Sequence, residues 1–526
     1  MKEWIRTHRL SAAEDLRQEP CLWKDRRLIL CLVSVFAWGL LAHGYGFLHS
    51  SLSHDELNAF YATPTEYQWK QRIGRFFVPF FQELMRGDLA LPWVVGMLAL
   101  LFIGLSLYLM VRMLGLHDRL QIALAAGILT TNLTVTAQTA SFLHELDCNF
   151  LALLFAVCAV YLWHTRRGWL SSAGACALVF LAIGIYQSYF AVAVTLMMLL
   201  CLAALYQDAD VRATVLQGVR GIAILAVSIA AYGLFSAVFY KATGMARKYD
   251  LVETNGFPLF YLRLLPKTYE DFFRALCNDA YPRQFLPVLY LAGAAFVVSL
   301  IRILVQKRKE PARVVLMAAL LCLLPLAMNI TFLLAKGGGI HDLTYYALWF
   351  IWLMHLLAAF RPAAGSSRLR RLLCVVLIGA ILWQNVLIAN TAYMKKEAAE
   401  KGTYSKLTRV LNRLEQREDY VFGETVVAFI GTGGGLGDLH EYGSVSNLVG
   451  MGYNDSIAEC PPNDVYDTYD AYFRYVLNYP INLCDPDTSE QLHSNPVVVG
   501  MPAFPHRDCI RVVNGILVVK LGDTPS

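Results

Sequence analysis

Eleven continuous apolar runs dominate this chain, at 28–48, 92–110, 120–138, 148–163, 170–186, 190–206, 221–240, 285–304, 314–334, 343–360 and 372–390. A helix of about 20 apolar residues crosses a hydrocarbon core of about 30 Å, so the runs leave few folds open. Barrel strands are a poor fit, because their apolar residues alternate over about ten positions whereas these runs are unbroken. Apolar residues make up 57% of the 526 and charged residues only 16%, against roughly 45–50% and 25% in soluble domains. The expected fold is an all-α polytopic membrane protein of about 11 transmembrane helices. No Lys/Arg-rich tract with interleaved aromatics is present, so no nucleic-acid partner is expected.

Short loops set the expected orientation, because Lys and Arg accumulate on the cytoplasmic side. Lys24, Arg26 and Arg27 precede the first run, and alternate loops carry Arg112 with Arg119, Arg166 with Arg167, Arg212 with Arg220, Lys307 to Lys309 with Arg313, and Arg361 with Arg368, Arg370 and Arg371. Residues 1–27 then form a cytoplasmic segment, too long and too charged for a cleaved signal peptide. Residues 28–390 form the membrane part, with outer loops at 49–91, 139–147 and 241–284. Residues 391–526 face the outside.

That last stretch has a different character. A Lys- and Glu-rich helix is expected over 391–417, followed by short strands at 420–430, 497–501 and 510–520 between clusters of Gly, Pro, Asn and Asp. This pattern suggests a small extracytoplasmic α/β domain. Tyr466, Tyr469, Tyr472, Phe473 and Tyr475 either form its core or stack on sugars. The glycine-dense stretch 431–437 lacks the order of a phosphate-cradling loop. Cys460, Cys484 and Cys509 lie where disulfides are permitted, and one bridge among them is expected without an assigned pairing. Cys158, Cys176 and Cys201 read as small packing residues within the membrane.

The outer loops hold the chemistry. Ser53-His54-Asp55-Glu56 follows the first run, and Gln71-Arg72-Ile73-Gly74-Arg75-Phe76 comes later in the same loop. A carboxylate can take a proton from an acceptor hydroxyl while arginines neutralise a departing phosphate, and sugar transfer from a lipid phosphate needs both. The plainer alternative is an acidic loop in which Asp55 caps the next helix. His54-Asp55, His144-Glu145 and His341-Asp342 repeat a His-acid pattern that suits sugar hydroxyls or a transition metal. Their spacing fixes no coordination geometry, so no metal is expected, and Gly337-Gly338-Gly339 reads as a loop bend. Lys70, Arg72, Arg75 and Arg86 in the first outer loop and Lys241, Arg247, Lys248, Arg263, Lys267, Arg274 and Arg283 in the third suit an anionic head group or a phosphate, or are solvated charge. Residues 257–266 look like a surface-lying amphipathic piece. Tyr186-Gln187-Ser188-Tyr189 forms a turn whose rings anchor at the interface or stack on a sugar.

Taken in order, the acidic pair after the first run, Gly74-Arg75 before an amphipathic stretch, the segment Ser141-Phe142-Leu143-His144-Glu145-Leu146-Asp147 and the Tyr186 turn resemble the type II serotype-converting (O-antigen) glucosyltransferases. These are bacterial membrane enzymes with a GT-C-like architecture, and the likeness covers residues 28–390. The resemblance implies transfer of glucose from an undecaprenyl-phosphate donor to a surface glycan, on the outer face of a multi-pass protein in the bacterial plasma membrane. It implies no cofactor and no metal; the partners are a polyprenyl-phosphate-sugar lipid, a glycan acceptor and membrane lipids.

Carried over by position, Asp55 is the leading general base with Glu56 as neighbour or substitute. Asp147 is a third catalytic candidate, although Leu146 stands before it where relatives carry an aromatic or basic residue. Arg72 and Arg75 match the donor-phosphate positions, Arg75 being preferred because Gly74 permits close backbone approach; Arg263 and Lys267 are added to them. His54, His144, Glu145, Tyr186, Gln187, His341 and Asp342 are expected to contact substrate. A transporter or flippase for a lipid-linked glycan, or a polysaccharide polymerase, are the alternatives. A transporter would carry ionisable residues deep in its spans or paired broken helices, whereas here charge gathers at the rims.

Overall fold

Each of the eleven apolar runs lies on helix in the computed structural model, which describes residues 25–49, 56, 57, 59, 64–87, 89–247, 259–334, 342–360, 368–431, 445 and 465–522. His54, Asp55, Lys248, Gly337 to Gly339, His341 and Cys460 lie outside the described residues. In chain order, α1 (Arg26–Leu48) leads through two short helices, α2 (Pro64–Arg72) and α3 (Val78–Arg86), to α4 (Pro92–Leu114). Then come α5 (Arg119–Thr130), α6 (Leu133–Ser141), α7 (Leu146–Thr165), α8 (Trp169–Ile185), α9 (Tyr189–Tyr206) and α10 (Val211–Thr243). The bundle is completed by α11 (Leu259–Leu276), α12 (Leu286–Gln306), α13 (Pro311–Met328), α14 (Ile330–Leu334), α15 (Phe350–Phe360) and α16 (Arg368–Glu415).

Among the described residues, eight helices are long and apolar enough to cross a membrane, or nine when α5 and α6 count as one bent span. The other two runs form the shorter apolar helices Trp169–Ile185 and Tyr346–Phe360. At about 1.5 Å per residue, the 17 residues of α8 rise only about 25 Å, short of a full core. Asp25, Asp118 and Asp210 start α1, α5 and α10 by accepting hydrogen bonds from backbone N–H groups of the first turn. Gly115 and Gly244 end α4 and α10 in the left-handed conformation. α4 packs between α1 and α7, and α8 bridges α7 and α10.

The bend between α5 and α6 is 42°, and neighbouring polar groups occupy the backbone it frees. Asn132 accepts from Val135 N at 3.2 Å and donates to Ile128 O at 3.0 Å. From outside the pair, Tyr346 Oη donates to Leu129 O at 2.8 Å and Trp349 Nε1 to Thr134 Oγ1 at 3.0 Å. Broken helices survive at membrane depth only where buried partners re-satisfy them in this way. At the bundle end that carries the short basic loops, cations meet helix C-terminal carbonyls and carboxylates. Arg313 donates to Leu205 O at 2.6 Å and Arg220 to Arg166 O at 3.0 Å, while Lys307 pairs with Asp208 and Arg371 with Asp118.

Helix α16 is continuous for 48 residues, so the helix expected over 391–417 is the extension of the last apolar run. Beyond it, β1 (Val427–Ile430), β2 (Ile510–Val513) and β3 (Ile516–Lys520) form a sheet in the order β1-β3-β2, parallel between β1 and β3 and antiparallel between β2 and β3. The helices α17 (Val465–Ala471), α18 (Pro486–His493) and α19 (Pro496–Val499) accompany it. Two strand expectations are corrected. Residues 497–501 do not form a strand: Asn495 caps the N–H of Val497 and Pro496 occupies the first helical position of α19. Residues 510–520 form a hairpin, because Asn514 and Gly515 both take positive φ, 54° and 80°, as a tight two-residue turn requires.

One face of the sheet packs Leu407, Val410 and Leu414 of α16 against Phe429, Tyr469, Phe473 and Cys509. The other face buries Cys484, Leu492 and Val498. Tyr469, Tyr472 and Phe473 are therefore core. Cys484 and Cys509 are free thiols on opposite faces, so these two do not form the expected bridge. Phe429 stacks on Tyr469 at 5.4 Å and on Phe473 at 5.0 Å. Phe429→Ala should cost about 3–5 kcal/mol, read as a lower melting midpoint and faster proteolysis of the carboxy-terminal part in the purified protein.

Candidate active site

The end of α1, Glu56, the turn between α2 and α3, the end of α3, the start of α7, the end of α8 and the extension of α16 converge at the bundle end away from the short basic loops. Here Phe142 ends α6, and Leu143–Glu145 makes a single 3₁₀ turn into α7. That turn presents His144 and Glu145 to a group of ionised side chains, and Glu56, Glu145 and Asp147 are each 0% exposed. Buried carboxylates persist when they are paired and hydrogen-bonded, and each of these is.

Glu56 accepts the N–H of Leu143 at 2.7 Å through Oε1 and meets Lys396 Nζ at 3.0 Å through Oε2. Lys396 also donates to Ala140 O. His144 Nδ1 lies 4.0 Å from Glu56 Oε1, and His144 Nε2 lies 3.4 Å from Lys70 Nζ. Lys70 continues to Glu145 Oε2 at 3.2 Å, and the other oxygen of Glu145 pairs with Arg75. Arg86, on α3, holds Asp147 at 2.8 Å and also donates to the carbonyl of His144. Asp147 accepts its neighbour Cys148 N at 2.9 Å, in the first turn of α7.

Burial alone would raise the pKa of Glu56, but the Lys396 cation and His144 outweigh it and hold the carboxyl at about 2, below the ordinary 4.5. A group with a depressed folded-state pKa adds stability above its unfolded value and loses it as pH falls. The contribution of this pair is thus complete above about pH 4.5 and declines toward pH 2.

Arg75 owes its place to the turn before it. Gly74 has φ 83°, and an added Cβ would fall 2.4 Å from Tyr232 Oη and 3.0 Å from Gln187 Nε2. Tyr232 donates to Gly74 O at 2.9 Å, and Gln187 to Ile73 O at 3.1 Å. The guanidinium of Arg75 then stacks 4.5 Å from the centre of the Tyr186 ring, within cation–π range. Tyr186 in turn donates to Leu343 O at 3.2 Å, one residue beyond the buried Asp342, which accepts from Asn278 Nδ2 at 2.6 Å. Gly74→Ala should displace Arg75 and cut the activity of the site about 10-fold or more, as measured on folded, monodisperse protein.

Of the residues singled out from sequence, Glu56, Arg75, His144, Glu145 and Asp147 come together here, with Tyr186 beneath Arg75. Gln187 braces the Gly74 turn. Arg72 is exposed, and its carbonyl accepts from Tyr240 Oη at 3.1 Å. Arg263 and Lys267 are exposed on α11, with Lys267 over the Phe332 ring at 5.8 Å, and among the described residues no contact joins them to the cluster. Lys70 and Arg86, which the sequence offers only as two of the basic residues of the first outer loop, join the cluster as buried partners of Glu145 and Asp147, and Lys396, which no local pattern singles out, joins it through Glu56. Tyr186 and Tyr189 are buried, not anchored at an exposed interface.

A bundle of membrane-length apolar helices closing over a charged cluster at one end defines a multi-pass membrane protein with a polar site at its rim. A family model described as glucosyl transferase GtrII matches residues 44–358, more than half of the chain. The chain belongs to that GtrII glucosyl transferase family, and is a membrane glycosyltransferase with a sugar donor and a glycan acceptor. No curated protein and no solved structure matches it.

Proposed function

We propose that the protein transfers glucose from a polyprenyl-phosphate donor to a cell-surface glycan at the outer face of a bacterial plasma membrane. In this reading all eleven apolar runs cross or enter the membrane, the amino terminus is cytoplasmic, and the carboxy-terminal sheet with its helices is an extracytoplasmic α/β domain. The observation that carries the reading is the buried cluster of Glu56, Glu145, Asp147, Lys70, Arg75, Arg86 and Lys396. It lies at the bundle end away from the short basic loops, which the positive-inside bias assigns to the cytoplasm.

The chemistry is a single displacement with inversion. The acceptor hydroxyl attacks the anomeric carbon while Asp55 takes its proton, and the bond from that carbon to the phosphate oxygen breaks. The polyprenyl phosphate leaves with the electron pair. Arg75 and Lys70, which already bracket the carboxylate of Glu145, neutralise the phosphate as charge develops. Glu56 is a poor base, since both its oxygens are engaged and its pKa lies far below the operating pH; it serves as an anchor. Asp147 is occupied by Arg86. Arg72, Arg263 and Lys267 attract the anionic head group from the membrane surface, and His54, His341 and Asp342 are assigned to sugar hydroxyls.

The test is sugar transfer by purified protein in detergent, from undecaprenyl-phosphate-glucose or from a nucleotide-linked glucose, with and without EDTA. Transfer from the lipid donor that persists in EDTA is expected. Transfer from the nucleotide sugar alone would overturn the donor assignment. Loss of transfer in EDTA would overturn metal independence. Neither turnover nor binding with any polyprenyl-phosphate sugar would move the protein to the transporter class.

A further inference from the structure

Between Asn390 and Leu411, helix α16 runs beside the end of α1 and beside Glu56 and Leu57. Asn390 Nδ2 donates to Leu41 O at 3.1 Å, Tyr393 Oη meets His43 Nδ1 at 2.7 Å, and Tyr45 donates to Glu397. Lys396, on the same stretch, is buried and reaches Glu56 across 340 positions of sequence. One residue on, Leu57 is fully buried with Leu407, Val410 and Leu411 of α16 and with the core of the carboxy-terminal sheet. One stretch of α16 thus holds both the end of α1 and Glu56 with Leu57, and the ionic contact among these is Lys396 on Glu56. Lys396 lies beyond residues 44–358, where the family match stops.

We propose that Lys396 is a positioning residue: its buried pair with Glu56 fixes the residue bonded to the general base Asp55 and, through Leu143 and His144, the turn beside the phosphate-binding cations. The proposal rests on the reading of Asp55 as base. The pair suits the task because a buried ionic contact is worth little as stability but is specific in geometry, and removing one partner leaves the other uncompensated. Lys396 fixes Oε2, the Leu143 N–H fixes Oε1, and His144 with Lys70 behind it closes the third side.

The experiment is steady-state transfer from a polyprenyl-phosphate glucose as a function of pH, on wild type, Lys396→Met, Lys396→Arg, Glu56→Gln and the Glu56→Gln/Lys396→Met double variant. The double variant holds no unpaired buried charge, so it remains informative if Lys396→Met alone folds poorly. Lys396→Met should lower kcat about 10- to 100-fold with little change in donor KM, and Lys396→Arg should restore most of the loss. The double variant should be no slower than the slower single one, because groups acting as one unit are not additive. Without its cation Glu56 titrates about 1–3 pH units higher, so Lys396→Met should gain an acid limb that the double variant lacks. Wild-type kcat in Lys396→Met, multiplicative losses in the double variant, or an acid limb common to both would overturn the proposal. The reading of the base fails separately: Asp55→Asn that keeps full activity sinks it even where Lys396 and Glu56 remain coupled.

Discussion

Asp55→Asn should reduce the rate of sugar transfer by about 10²–10⁴-fold, the range a general base contributes, while donor binding changes little. Asparagine keeps the size and polarity of the side chain but cannot accept the proton of the attacking hydroxyl. The cations proposed to bind the donor lie on other segments: Lys70 on α2, Arg75 in the turn after it. Binding and chemistry should therefore separate, with KM for the lipid donor near wild type and kcat lost. The measurement is a kcat and KM pair at saturating acceptor, with Glu56→Gln beside it. Full activity in Asp55→Asn, with loss in a variant of Asp147, would move the base to the start of α7.

Arg86→Met should destabilise the protein by about 3–5 kcal/mol, the cost of breaking a buried pair by removing one partner. Arg86 and Asp147 are 3% and 0% exposed, so the carboxylate left behind would be buried without its cation. Arg86 also ties α3 to the 3₁₀ turn through His144 O, beside Gln82, which donates to the same carbonyl at 3.2 Å. Its loss therefore unfastens the surface helix from the site. A fluorescence-detected melt in detergent should show the midpoint fall for Arg86→Met and recover in Arg86→Met/Asp147→Asn, where the uncompensated charge is gone. A double variant no more stable than the single one would mean that the hydrogen bond to His144 O, not the ion pair, dominates.

α3 shows how burial divides a short amphipathic helix. Phe80 and Leu84 are 60% and 69% exposed, while Gln82 is buried and Arg86 turns inward to Asp147. An arginine at the end of a helix with an apolar face reads from sequence as a solvated cap or an interfacial anchor. The carboxylate that draws it inward lies 61 positions away, and no local pattern encodes that meeting.

The sequence by itself determined the membrane class, the helical positions of the apolar runs and the end of the bundle where charge collects. These follow from local causes: an apolar stretch without water must satisfy its backbone internally and so becomes helix, and Asp and Gly at the run ends cap and stop it. It also placed Arg75 after an obligatory glycine. Tertiary structure decided which charges are buried and with whom. Lys396 looks like one of several lysines on a water-exposed helix, and Lys70 like one more cation in a basic loop; both are buried because a carboxylate waits for each, Glu56 for the first and Glu145 for the second. A charged side chain has the same identity in solvent as in an ion pair, so its fate is set by long-range packing, which periodicity does not carry. The same reason explains the hairpin over 510–520 and the helix at Pro496–Val499, where turn geometry and a cap overrode strand-like composition.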